Sequence, residues 1–280
     1  MKGMTELLRQ KARTTEEGKI EMRLPWLSPL LVFLMLSNVG VAQHVSSIPV
    51  RQAQALDVLQ KVVIAAGGLQ TINAFQSYSA SGQIIFHAGD EKTEGEATVK
   101  WKGTKDFRID VQMPDGNQWW FIKDGRGFKK EADGTVRPLL YQEALNIQSY
   151  CWPLAQVAQA IRDSKVGISS EPPSVRQGRP VLSIRVRPAA GGFHAELLEK
   201  QFYVDAHTFQ IITVEDKAYP RDRLADGIHR SVTFSDYRQI GGVSFPFSIS
   251  EDVAHHRHLM EIHLKTVSIN GPVSDRDFEP

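Results

Sequence analysis

Phe107-Arg108-Ile109-Asp110-Val111 and Leu182-Ser183-Ile184-Arg185-Val186-Arg187 alternate apolar with charged or polar residues. Successive side chains of a β-strand point to opposite faces, so this period of two describes a sheet with one apolar and one wet face. Further candidate strands lie on either side: Ser77–His87, Glu94–Lys102, Asp106–Gln112, Gln118–Lys123 and Gly127–Glu131. After an interruption come Val181–Arg187, Lys200–Asp205, Phe209–Glu215, Arg230–Arg238, Val243–Glu251 and His258–Ile269. Turn signals such as Pro114-Asp115-Gly116, Asp124-Gly125 and Gly241-Gly242 separate them. Short spacings with tight turns belong to antiparallel meanders, not to alternating βαβ units. The expectation is a mainly β (α+β) chain built on a single large antiparallel sheet of about eleven strands.

Two pieces break the strand pattern. Ala55, Leu59, Val62, Val63 and Ala66 follow helical spacing, and Gly67-Gly68 stop the helix because glycine tolerates the left-handed C-terminal cap. Within the interruption from Arg137 to about Ser164, Leu154, Val157, Ala158 and Ile161 form a second stripe, with Pro153 in the first turn where its missing N–H costs little. A helix with one apolar stripe must lie on something, here the apolar face of the sheet. The segment from Glu171-Pro172-Pro173 to Gly178-Arg179-Pro180 reads as a loop returning the chain to the sheet.

The chain carries 33 Lys plus Arg against 32 Asp plus Glu, which argues against a nucleic-acid binder, since that function needs a basic footprint. Its one cysteine excludes a disulfide framework and a multi-thiolate metal site. Met22-Arg23, the apolar run Leu24–Leu36 and the small residues ending Gly40-Val41-Ala42 have the layout of a secretory signal peptide. The 13-residue apolar run is shorter than the roughly 20 residues of a spanning helix, the layout of the alternative, a signal anchor. Residues 1–42 are therefore read as leader and signal peptide, with Met22 as the start and cleavage after Ala42, and residues 43–280 as one domain. No cysteine adjoins Ala42 to carry a lipid, so the expected location is the periplasm, as a soluble monomer.

No G-x-S-x-G elbow, phosphate-binding glycine loop or H-E-x-x-H motif is present, and the acidic residues look scattered over the wet positions of strands. A non-enzymatic protein without cofactor is the reading. His255-His256-Arg257-His258 is the one chemical cluster; His256 and His258 share a face of an extended strand but lack a third ligand, so an exposed hairpin tip is preferred to a metal site. Cys151, between Tyr150 and Trp152, reads as a buried apolar residue. In Trp119-Trp120-Phe121 neighbouring rings must face opposite sides of the sheet. With Trp101, Phe107, Ile109, Phe234, Phe245 and Phe247, these rings are the candidate lining of an apolar concavity, and Leu59, Val62, Val63, Leu154, Val157 and Ile161 the candidate lid.

The order of elements resembles a known family. The amphipathic helix is followed by Gly95-Glu96-Ala97-Thr98-Val99-Lys100-Trp101-Lys102, Phe107-Arg108-Ile109-Asp110, Trp120-Phe121 and Asp124-Gly125. Later come Phe202-Tyr203-Val204-Asp205, Phe234-Ser235-Asp236-Tyr237-Arg238 and the closing Phe278-Glu279-Pro280. This resembles the LolA/LolB-like outer-membrane lipoprotein carriers. The resemblance implies a strongly curved, unclosed half-barrel with helices as a lid, whose hollow holds the acyl chain of a lipid or lipoprotein. It also implies an inner-membrane donor and an outer-membrane acceptor as partners. The chain departs from the carriers at Lys102-Gly103-Thr104, where they place a basic residue followed by proline and use the basic side chain to latch the lid. An envelope protein–protein interaction module with a filled core is the alternative function.

Overall fold

The alternating stretches become the middle of one continuous sheet. The computed structural model describes residues 49–279 other than 104–105, 151, 189–195, 222–226 and 255, so the leader and signal-peptide reading lies outside the described residues. Strands β1 (Ser77–Ala88), β2 (Glu91–Lys102), β3 (Asp106–Met113), β4 (Gly116–Lys123), β5 (Arg126–Lys130) and β6 (Val136–Pro138) form the first meander. The second comprises β7 (Val166–Arg176), β8 (Arg179–Pro188), β9 (Lys200–Asp205), β10 (Ile211–Ala218), β11 (Ile228–Ile240), β12 (Val243–Val253) and β13 (His256–Ile269). The order is β6-β5-β4-β3-β2-β1-β13-β12-β11-β10-β9-β8-β7, an open antiparallel sheet of thirteen strands. Among the described strands, only the β1–β13 seam, with Tyr78 opposite Ile269, joins strands distant in sequence.

The described residues form four helices, α1 (Ala53–Ala65), α2 (Gly68–Ala74), α3 (Tyr141–Gln148) and α4 (Pro153–Arg162), of which α1, α3 and α4 pack on the sheet and α2 on α1. The sheet's curvature follows from α3, which packs on both β5 and β10. Those strands are eight places apart, roughly 38 Å in a flat sheet, whereas an eight-residue helix is about 12 Å long. One helix reaches both because the sheet curls around it. The concave face carries the main core, from Leu59, Val62 and Val63 of α1 through Ile84, Val99, Ile109 and Val111 to Phe202, Val232 and Ile262.

The sequence expectation needs three corrections. The sheet has thirteen strands because the β6 edge is three residues long and carries no alternation, and because the expected loop after Glu171 is the second half of edge strand β7. Pro172 and Pro173 sit there at a register shift between Glu171 and Ser174 on the sheet edge, where a missing N–H removes no ladder bond. After the stop at Gly67, a second short helix, α2, begins at once. Finally, Phe209 adopts a positive φ of 56°, and strand β10 starts only at Ile211.

Arg51 ties the entry of the chain to the insertion. Its guanidinium donates to the carbonyls of Ala160, Ile161, Asp163 and Val166 at 2.6–3.2 Å, satisfying the end of α4, where carbonyls lack intrahelical partners.

The seam makes a direct prediction. At the β1 bulge between Ser81 and Gly82, a Cβ on Gly82 would fall 2.1 Å from the His263 carbonyl oxygen and 2.6 Å from the Leu264 Cα, both backbone atoms. Gly82→Ala should therefore cost about 1–3 kcal/mol of stability by overpacking, read as a lowered denaturant midpoint at unchanged slope.

Candidate functional site

The concave face forms a hollow whose mouth is crossed by the only link between the two sheet edges, α3 and α4. At its centre sits Trp152, immediately before α4 and 3% exposed. Its ring lies 4.2 Å from Phe75 and 5.7 Å from Phe245, while Phe245 meets Tyr78 edge-on at 5.1 Å. Proline at position 153 starts α4 with its fixed φ, and Trp152 before it stands outside the helix with its side chain in the core of the hollow. The space left beside it, bordered by Phe107, Ile109, Tyr150, Trp152, Phe234 and Phe245 among others, is ≈ 10 Å³. A second gap, between α1, Trp152 and Tyr237, is ≈ 20 Å³. Each has room for about one water, which needs roughly 10–15 Å³. The hollow is filled by the chain's own aromatic rings.

One end of the hollow is ionic. Lys200 (β9), Asp216 (β10), Arg230 (β11) and Glu251 (β12) come from four adjacent strands, each two residues from an inward apolar side chain: Phe202, Val214, Val232 and Ile249. Period two therefore points all four inward. Arg230 is 1% exposed; its Nε and Nη2 donate to Asp216 at 2.7 and 2.9 Å, and Nη1 lies 3.6 Å from Glu251. The same guanidinium holds the lid, donating to the Asn146 carbonyl at 2.8 Å and to Ser149 Oγ at 2.7 Å. Ser149 Oγ also accepts from Lys200 Nζ at 2.8 Å and donates to Asp216. Asn146 and Tyr219 exchange two further hydrogen bonds, at 2.8 and 2.9 Å. The end of α3 and the residues leading to Trp152 are thus latched to the sheet by buried charge.

The start of α3 is held separately. Arg137 pairs with Glu143 at 2.8 Å and Glu131 at 3.2 Å, and the buried Lys129 with Glu131 at 2.6 Å. Burial, opposed by Glu131, pushes the Lys129 ammonium below its ordinary value.

Lys200 and Ser149 have the composition of a serine–lysine dyad, but Lys200 also donates to Asp216 at 2.9 Å, and Ser149 is 1% exposed. Burial opposes ionisation of Asp216, yet Lys200 and Arg230 outweigh it and hold the carboxyl well below its ordinary range. Burial wins at Glu251, whose carboxyl is raised despite Arg230, and it also keeps the adjacent Tyr150 phenol protonated.

Of the residues expected to line a concavity, Trp101, Phe107, Ile109, Trp120, Phe234, Phe245 and Phe247 all join the concave core. Trp119 and Phe121 do not: they sit opposite Asp110 and Arg108 on the outer face, where the Arg108 guanidinium lies 5.1 and 5.8 Å from their rings. Alternation around Trp120 requires this. The lid candidates Leu59, Val62, Val63, Leu154 and Val157 are buried in the core, and Ile161 packs at its edge. The side chains of His256 and His258, and all of Cys151, lie outside the described residues. Among the described residues no group of His, Cys, Asp and Glu could hold a metal, and no single helix is long and apolar enough to cross a membrane. Lys102 points outward to Asp275 at 2.7 Å, away from the covering segment, which is bonded instead by Arg230, Lys200, Arg137 and Arg51. Asp216 and Glu251 also correct the expectation that the acidic residues occupy only wet positions.

Solved structures share this fold. A domain from Vibrio parahaemolyticus described as outer membrane lipoprotein-sorting superposes with a TM-score of 0.52 at 11% identity, over 80% of this chain and 96% of that one. A LolA superfamily protein from Nitrosomonas europaea gives 0.53 at 12% identity, over 81% and 97%. The chain has the LolA fold. A DUF1329 family protein from Desulfovibrio piger is equally similar, with a TM-score of 0.53 at 12% identity over 80% and 97%. No family model and no curated sequence matches the chain. At these identities the likeness lies in the fold, and the Arg230 latch is described from this LolA-fold chain alone.

The two carboxylates of the latch should titrate with opposite effects. Between 4.5 and its raised native value, Glu251 keeps in the native state a proton that the unfolded chain has lost, so stability falls as pH rises through that window. Asp216 contributes stability that is present above 3.8 and lost as pH falls below it. Denaturant midpoints measured across pH should therefore show Glu251→Gln removing the decline above 4.5, with no loss at neutral pH. Asp216→Asn, which strands Arg230 and Lys200, should cost about 3–5 kcal/mol at neutral pH.

Proposed function

We propose that the protein is a non-enzymatic, exported carrier that takes up the acyl chain of a lipid or lipoprotein in its concave hollow when the latched segment withdraws. The observation that carries this reading is the composition of the closure: a continuous apolar hollow stoppered by one indole, with the stopper held by polar contacts at Asn146 and Ser149. Polar contacts can be exchanged for water, whereas a fused apolar core has no such exchange. Lifting Tyr150, Trp152 and Pro153 vacates apolar volume, and an acyl chain supplies the replacement surface. At about 0.8 kcal/mol per buried CH₂, a 16-carbon chain contributes on the order of 10 kcal/mol before ordering costs. Release then needs a second hydrophobic surface, because dissociation into water forfeits that gain. Cleavage after Ala42, a periplasmic site of action and donor and acceptor proteins at the two membranes complete the proposal.

A filled hollow also favours a second reading, an interaction module that never admits lipid. Uptake of a fluorescent long-chain fatty acid by the purified protein separates the two. The carrier reading expects saturable uptake that rises several-fold in Trp152→Ala, with lipid in solvent extracts of protein exported in a bacterial host. No uptake by either protein, both folded by circular dichroism, would overturn it in favour of the module.

A further inference from the structure

The outer face of β2–β4 carries a second site, independent of the hollow. Its first row runs Lys100–Arg108–Phe121 across the three strands, and its second includes Lys102 and Asp106. Residues 271–279, which follow β13, lie over these rows with the 3₁₀ turn Asp275–Phe278 packed on β3 and β4. Lys100 Nζ meets Asp277 at 2.5 Å and Lys102 Nζ meets Asp275 at 2.7 Å. Arg108 Nη1 donates to the carbonyls of Asp277 and Glu279 at 2.9 and 3.0 Å. Lys123 Nζ donates to the Asp275 carbonyl at 3.3 Å and lies 3.8 Å from the Glu279 carboxylate. Between the acidic residues Phe278 is 1% exposed, and beneath the segment the outward-facing Phe121 is 2% exposed.

The hold on the sheet comes from side chains. The segment's backbone bonds run within itself, Val273 to Gly271, Asp277 to Ser274 and Glu279 to Arg276. Such an element can leave without breaking a ladder hydrogen bond of the sheet. The cations also outlast the segment as a recognition surface. Of the carboxylates that share this face, Asp110 takes up one side of Arg108 and Asp106 accepts the Asp124 N–H. Among the described residues, Lys100, Lys102 and Lys123 find their anionic partners in the C-terminal segment.

We propose that this face is a docking groove for an acidic, phenylalanine-bearing segment of a protein partner, and that the chain's own Asp275-Arg276-Asp277-Phe278-Glu279 is its resident, displaceable occupant. The partner's signature is a buried phenyl ring flanked by carboxylates that reach Lys100 and Lys102, with backbone carbonyls accepting from Arg108. Charge complementarity sets the register and the ring supplies the anchor.

The test uses the full-length chain and a fluorescent peptide of residues 271–280. Phe278→Ala loosens the resident segment, so the peptide should bind this variant at least tenfold more tightly than it binds wild type. Binding should weaken with salt and vanish when Arg108→Glu is added or when the peptide's own phenylalanine becomes alanine. If Phe278→Ala does not fold, the Asp275→Asn/Asp277→Asn double variant replaces it with the same expectation. No binding to a folded, loosened variant overturns the proposal, as does hydrogen exchange at 275–279 in wild type as slow as in β1 and β13. Two further results also overturn it by naming another occupant. One is concentration-dependent dimerisation of the loosened variant without peptide, which assigns the groove to a second copy. The other is binding to phosphatidylglycerol vesicles in place of peptide, which assigns it to a membrane.

Discussion

A sheet with one apolar face and two free edges must hide that face from water, and the connectivity of this chain dictates how. Because β6 and β7 are at once the sheet edges and neighbours in sequence, the residues between them must pass from one edge to the other. The shortest route crosses the open mouth. The insertion carrying α3, Trp152 and α4 is therefore obliged to be the cover, and the curl of the sheet lets one two-turn helix touch β5 and β10. Coverage by α1 is added from outside this route, and Arg51 binds that added layer to the end of α4.

Burying ions under the cover is a costly way to close a protein, since apolar residues of similar volume are often as stabilising. In the row Lys200–Asp216–Arg230–Glu251, Asp216 is paired with both Lys200 and Arg230, so the two cations depend on that one carboxylate. What such a row provides, beyond cohesion, is a defined position for Asn146 and Ser149, and with them for Trp152. A purely apolar contact would allow the segment to settle in several registers; directional bonds to one guanidinium allow one.

Much of this was legible in the sequence. Period two placed β3 and β8, and the stripes of α1 and α4 gave the covering helices. The edges were harder: β6 is too short to alternate, and the prolines of β7 mimic a loop because proline marks both turns and edges. Trp119 and Phe121 could have been assigned outward once Trp120 was assigned inward, since adjacent residues cannot share a face. The latch was visible too, as a lapse in alternation, because Asp216, Arg230 and Glu251 stand where Val214, Val232 and Ile249 predict another apolar residue. What no pattern could supply is that three such lapses, with Lys200, meet in one row. That depends on register between strands, which local periodicity does not encode.

The seam between β1 and β13 has a consequence for how the molecule comes into being. Every other strand pair joins neighbours in sequence, so either meander can assemble from local hairpins, whereas the seam brings together opposite ends of the sheet-forming chain. Contacts of that span dominate the loop-closure entropy and slow folding. The two halves can form early, each with an unpaired, sticky strand at its border, and the half-barrel exists only once those borders meet. A chain emerging from its N-terminus keeps β1 waiting until β13, the last strand made, arrives. For that interval the exposed edge of β1 is where association with another chain competes with self-completion.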